Sequence, residues 1–197
     1  MVLKPGEIGT FRLAFFIGLV TLLISSCGEK KFTTLSYPIF AVFDSDNEGW
    51  QISKGGIAGY SQRGGNPGGF FYGDDEGGSA WYFIASTRFV TETRTGYGQL
   101  LRFDLEQEVN AFLPNYTNDI TLSDGQSTLT FDTAHNPGTT WTPSSVRLDE
   151  LSGWKKGSVG VTKSEFQRVL QNLTDLRIRG DFKGGPVRGG LDNATLY

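Results

Sequence analysis

Apolar and polar residues alternate through most of this chain in short runs separated by glycine, asparagine and aspartate, the period of strands and turns. From Leu101 to Leu105, Leu101, Phe103 and Leu105 share one face while Arg102 and Asp104 take the other, as in a half-buried strand. Trp81 and Phe83 alternate in the same way with Tyr82 and Ile84 between Ser79 and Ala85, and Ile39 to Phe43 reads as the first strand. Ile120 and Leu122 lead through Asp124-Gly125 to Leu129-Thr130-Phe131, a hairpin signal, because Asp-Gly supplies the positive φ of a tight turn. Val146 to Leu148, Leu176 to Ile178 and Leu191 to Leu196 bring the total to at least seven strands, which implies a sandwich or barrel. A helical period occurs in one stretch: Thr162 and Glu165 have capping-box spacing, and Phe166, Val169, Leu170 and Leu173 follow on one face. The pattern therefore predicts an all-β sandwich with one short α-helix closing an end of its core. Gly64 to Gly69 reads as a loop and Gly73 to Gly78 as an acidic turn.

The first thirty residues differ. Lys4 and Arg12 precede an apolar core from Leu13 to Ile24, 12 residues long, which as a helix spans roughly 18 Å against the ~30 Å of a bilayer interior. That layout is a secretory signal. Leu23-Ile24-Ser25-Ser26-Cys27 resembles the lipobox of bacterial lipoproteins, with the chain's single cysteine at its end. The resemblance implies removal of residues 1–26, acylation of Cys27, and anchoring to a membrane through its acyl chains. Gly28 in place of aspartate favours the outer membrane, with the protein facing periplasm or cell surface. Residues 27–38 then form a polar tether and 39–197 the domain. The formal charge of −3 becomes −4 when Lys4, Arg12 and Glu7 are lost, and with no basic stripe a nucleic-acid partner is not expected. No cysteine remains for a disulfide, so burial must hold the domain together.

The order Trp81-Tyr82-Phe83, Phe89, Tyr97-Gly98-Gln99-Leu100, Val146-Arg147-Leu148-Asp149-Glu150, Trp154, the Phe166 to Leu173 helix, Leu176 to Gly180 and Leu191 to Leu196 resembles the laminin IV type A domain, also called laminin B. The likeness runs from about Gly69 to Tyr197. Phe43 to Trp50 resembles the first strand of galactose-binding-like jelly rolls, so the implied fold is a jelly-roll β-sandwich. Laminins set this domain among cysteine-rich modules that are lacking here, so matrix assembly is not implied. An extracellular binding or structural module without catalytic residues is.

Candidate chemistry is sparse. Asp44, Asp46 and Glu48 begin like an EF-hand, yet its twelfth position is Gly55. The jelly-roll resemblance instead implies a structural Ca²⁺ where first and last strands meet, with Asp44 and Asp192 as ligands and Asp74 or Asp46 contributing; Asx turns are the plainer reading of these acids. His135 is the one histidine and sits in a turn-rich loop, and Asp149 and Glu150, adjacent on a strand, point to opposite faces. Trp141, in a Thr- and Pro-rich loop, is the aromatic expected to be free for a sugar ring. The reading is a non-catalytic module of the cell envelope binding glycan or an envelope protein; the rival readings are a structural spacer and a hydrolase.

Overall fold

Antiparallel pairing carries this alternation into three dimensions in a computed structural model that describes residues 38–53, 56–75, 80–109, 117–183 and 186–197. In chain order the elements are β1 (Ile39–Ala41), β2 (Gln51–Ile52), β3 (Ile57–Gly65), β4 (Gly68–Asp75), β5 (Tyr82–Ile84), α1 (Thr87–Thr93), β6 (Leu100–Gln107), β7 (Ile120–Ser123), β8 (Thr128–Phe131), β9 (Thr142–Arg147), β10 (Lys155–Lys156), β11 (Val159–Gly160), α2 (Lys163–Gln171), β12 (Asp175–Arg179) and β13 (Val187–Leu196). One sheet runs β3-β4-β13-β6-β9, with β1 also on β13; the other runs β11-β10-β8-β7-β12-β5-β2. The two sheets form the expected jelly-roll sandwich. Cys27, most of the tether and the tip of the acidic turn lie outside the described residues.

The last strand organises the first sheet. One edge of β13 pairs with β6, from Gly189–Gln107 to Leu196–Leu101. Its other edge is shared: β4 takes Val187 to Leu191, and β1 takes Ala194 to Leu196. A bulge between Asp192 and Thr195, with Asn193 at φ +52°, falls at that changeover.

Leu101, Phe103, Leu105 and Gln107 point inward, as alternation requires, and meet an aromatic core containing Trp50, Trp81 and Trp154. The six-membered ring of the Trp81 indole packs directly against glycine. A Cβ on Gly180 would stand 2.0 Å from its ring and one on Gly73 2.7 Å away, so these positions tolerate only a hydrogen where the ring passes.

Two expectations need correction. A second helix, α1, joins α2; its Thr-rich sequence, with the β-branched Val90, has low helical propensity. It is held instead by the Ser86 side chain accepting from Phe89 N (3.3 Å), by Thr93 Oγ1 donating to Phe89 O (2.7 Å), and by burial of Phe89 and Val90. The glycine-rich stretch is not one loop but the ends of β3 and β4 around an Asn66-Pro67 turn. Glycine is needed there for close approach: a Cβ on Gly69 would lie 2.3 Å from Phe43 O. The expected helix α2 has its capping box, and the Asp-Gly hairpin pairs Ser123 with Thr128 across Gly125 at φ +84°.

Candidate functional site

The outer face of the seven-stranded sheet is polar by alternation. Because Leu122, Leu129, Leu176 and Phe83 point inward, Thr121, Ser123, Thr128, Thr130, Asp175, Arg177, Tyr82 and Ile84 point outward. Strand register aligns one row across six strands: Lys155 with Thr130, Thr130 with Thr121, Thr121 with Arg177, Arg177 with Ile84, and Ile84 with Gln51. Five interstrand spacings make that row about 24 Å long.

Two depressions lie along it with Asp175 as their shared wall. One, of about 390 Å³, is bounded by Tyr82, Thr121, Thr130 and Arg177. The other, of about 350 Å³, runs between Gln51, Ile84 and the α1 residues Thr87, Thr91 and Arg94. Together they form a groove lined by hydroxyls, one phenol and two guanidinium groups.

The groove wall is built from below. Arg179 and Asp119, both buried, approach to 3.3 Å between Nε and Oδ1. Asp119 Oδ2 accepts from Thr133 N (2.8 Å) and Oγ1 (2.6 Å), and Arg179 Nη2 donates to the Tyr82 hydroxyl (2.9 Å) and to Thr117 O. The Arg179 guanidinium also sits 5.1 Å from the Tyr82 ring centre. Burial raises the Tyr82 phenol above its ordinary range, so it remains a neutral donor at the groove. Arg177 is steadied by Asp175, Nε to Oδ2 2.6 Å. Arg94 Nε donates to Leu173 O (2.9 Å).

The acids singled out for metal binding divide. Asp44, Asp192 and, from β6, Asp104 each accept hydrogen bonds from the β3–β4 turn. Asp192 is fully buried; its Oδ2 accepts from Asn66 N (2.6 Å) and Oδ1 from Asn193 N (2.7 Å). Asp104 Oδ2 accepts from the side-chain amides of Asn66 (3.0 Å) and Asn193 (2.8 Å), and Asp44 Oδ1 from Gly69 N (3.4 Å). Burial pushes the Asp192 carboxyl up, the two amides pull it partly back, and the Asp104 and Asp44 charges add to the rise, leaving it at about 6. Asp46 caps its own turn, accepting from Glu48 N (2.7 Å), and Asp74 is held bidentately by Arg188 at 2.6 Å. Among the described residues, no group of three or more His, Cys, Asp or Glu side chains stands ready to hold a metal ion.

Trp141 lies on the opposite sheet. Its Nε1 donates to Gly64 O (2.8 Å) and its ring meets Phe70 edge-on at 5.4 Å, so it is half-buried. His135 is exposed. Asp149 caps a 3-10 turn through Leu151 N (3.0 Å), and Glu150 accepts from the Tyr97 hydroxyl (2.6 Å), so this carboxylate pair has separate structural duties. Tyr82, Arg94, Asp104 and Arg177 were not singled out in the sequence. Their only signal there is a polar residue at an outward or helix-terminal position.

Comparison with known proteins agrees with the architecture. Residues 82–197 match the model of Laminin B (Domain IV), a span that begins later than the Gly69 expected. The chain is 25% identical over 183 residues to laminin subunit gamma-2 of Equus caballus, covering 81% of this chain and 14% of that protein. Against laminin subunit gamma-2 of Homo sapiens it is 28% identical over 134 residues, 58% and 10% respectively. It thus spans a small part of these relatives. The L4b domain of human laminin alpha-2 superposes with a TM-score of 0.52 at 14% identity, over 60% of this chain and 69% of that one. The family 11 carbohydrate-binding module from Clostridium thermocellum, solved in complex with a β-1,3-1,4-mixed-linked tetrasaccharide, superposes with a TM-score of 0.53 at 12% identity, over 81% and 94%.

Proposed function

The chain belongs to the Laminin B (Domain IV) family, and from that premise we propose that it is a non-catalytic glycan-binding module carried by a lipid-anchored envelope protein. The observation that carries the glycan reading is the aligned polar row on the seven-stranded sheet, with Tyr82 buttressed by Arg179 and Arg177 by Asp175. Hydroxyls and guanidinium groups held on rigid strands match the hydroxyl edges of a sugar chain, and Tyr82 offers an apolar ring beside them. The sandwich is one on which a carbohydrate-binding module is built, which supports the same ligand class.

Anchoring rests on the lipobox-like Leu23 to Cys27. Acyl chains there would hold the domain at a membrane surface, the outer membrane being favoured by Gly28. A structural Ca²⁺ belongs to the same proposal, with Asp44 and Asp192 as its carboxylate ligands, and Asp192 would exchange its amide partners for the ion.

The test is a glycan array probed with the full chain, its Tyr82→Ala and Arg177→Ala variants, and Trp141→Ala. Binding lost in the first two and kept in the third supports the groove. Binding lost only with Trp141→Ala moves the site to the opposite sheet, and no binding by any form leaves the spacer reading. Turnover of chromogenic glycosides or esters would restore the hydrolase.

A further inference from the structure

We propose that the groove takes a glycan bearing anionic groups, carboxylate or sulfate, and that Arg94 receives one of them. This inference rests on the glycan reading of the groove and specifies its ligand chemistry.

The two arginines of the groove are not equivalent. Arg177 has its charge answered by Asp175 at 2.6 Å. Arg94, at the C-terminal end of α1, is fixed by one hydrogen bond from Nε to the neutral carbonyl of Leu173 (2.9 Å). Its Nη1 and Nη2 have no protein acceptor among the described residues. A guanidinium steadied at Nε keeps the fork of its two outer nitrogens for a planar, two-oxygen partner, which is the geometry of a carboxylate or sulfate. The neighbouring Thr87 and Thr91 side chains add hydroxyl donors within the same 350 Å³ depression.

Charge along the row supports the same ligand. Lys155 stands at one end, Arg177 in the middle and Arg94 beyond the other end, against Asp175 and Asp132, the latter 3.8 Å from Lys155. The groove thus carries one net positive charge on a chain whose formal charge is −3. A polyanion would be repelled by the molecule as a whole and accepted at this face. Electrostatic retention would therefore report the groove rather than general attraction.

Affinity electrophoresis of the full chain through gels containing polygalacturonate, dextran sulfate or neutral mixed-linkage β-glucan tests this, at low and high salt and with Arg94→Gln. Retardation by polygalacturonate or by dextran sulfate is expected, each identifying its own anion. It should weaken as salt rises, and Arg94→Gln should weaken it about tenfold, a larger loss than the same substitution causes with neutral glucan. The salt dependence of the unsubstituted chain supplies the answer even if Arg94→Gln does not fold. Equal retardation by neutral and anionic glycans, or an Arg94→Gln variant that binds the polyanion as before, overturns the inference and leaves glycan binding intact. Retardation by no polysaccharide overturns both.

Discussion

Asp192 gives the sharpest test of how this fold is held together, because a fully buried carboxylate sits between the turn of β3 and β4 and the bulge of β13. Its folded pKa of about 6 stands above the ordinary 3.8. The folded state therefore binds a proton more tightly than the unfolded chain does. Stability from this group is fully present below pH 3.8 and is lost as pH rises through 6. At 1.36 kcal/mol per pKa unit the loss is about 3 kcal/mol. Asp192→Asn removes that dependence but is not simply stabilising. Two backbone N–H groups point at the carboxylate, and an amide can accept from only one of them, which costs about 1–3 kcal/mol. The diagnostic quantity is therefore the change of stability with pH, not its value at one pH. Thermal melts in metal-free buffer from pH 4.5 to 7.5 should show the wild type losing several degrees more than Asp192→Asn, since 1 kcal/mol shifts the melting temperature by roughly 2 to 4 °C in a domain of this size. The raised Glu106 carboxyl and the lowered Asp124 and Glu165 carboxyls titrate in both proteins and cancel in the comparison. Parallel pH profiles would refute the reasoning. Excess calcium at pH 7.5 should stabilise the wild type by about 2.7 kcal/mol when its concentration is a hundred times Kd, and should do little for Asp192→Asn. Identical wild-type melts with and without calcium would remove the metal.

Gly180→Ala places a methyl 2.0 Å from the Trp81 ring and should cost at least about 1–3 kcal/mol in urea unfolding, while Gly160→Ala, with open space around it, should be near neutral; equal effects would contradict the packing argument. Thr162→Ala removes the α2 capping box and should lower stability by about 1 kcal/mol, with no change in the groove's ligand binding. Cys27→Ser should yield an exported precursor of full length, whereas wild-type protein extracted in detergent should lack residues 1–26 and carry acyl mass; an unmodified thiol at Cys27 would end the lipoprotein reading.

Much of the strand framework was legible because its signals are local. Leu101, Phe103 and Leu105 must share a face whatever lies beside them, Asp124-Gly125 can close its own hairpin, and Thr162 with Glu165 caps α2 from within one turn. These are properties of dihedral angles and of spacing over a few residues. Helix α1 is not legible in the sequence because its own residues argue against it; Phe89 and Val90 are helical because the core receives them in that form. The hairpin of β3 and β4 was hidden by glycines whose need arises from Phe43 and from strand partners distant in the chain.

The candidate sites depended almost wholly on such distant pairings. Asp44 and Asp192 were singled out in the chain, but Asp104 joins them only because β6 lies against β13, and Asp74 is paired with Arg188, which stands opposite it in register. Lys155, Thr130, Thr121, Arg177, Ile84 and Gln51 come from six separate strands, and no spacing along the chain marks them as neighbours. Alternation told which face each would occupy. Only the tertiary structure decided that they share a row, because a strand's partners are chosen by burial of its inward side, and the outward residues are carried into alignment by that choice.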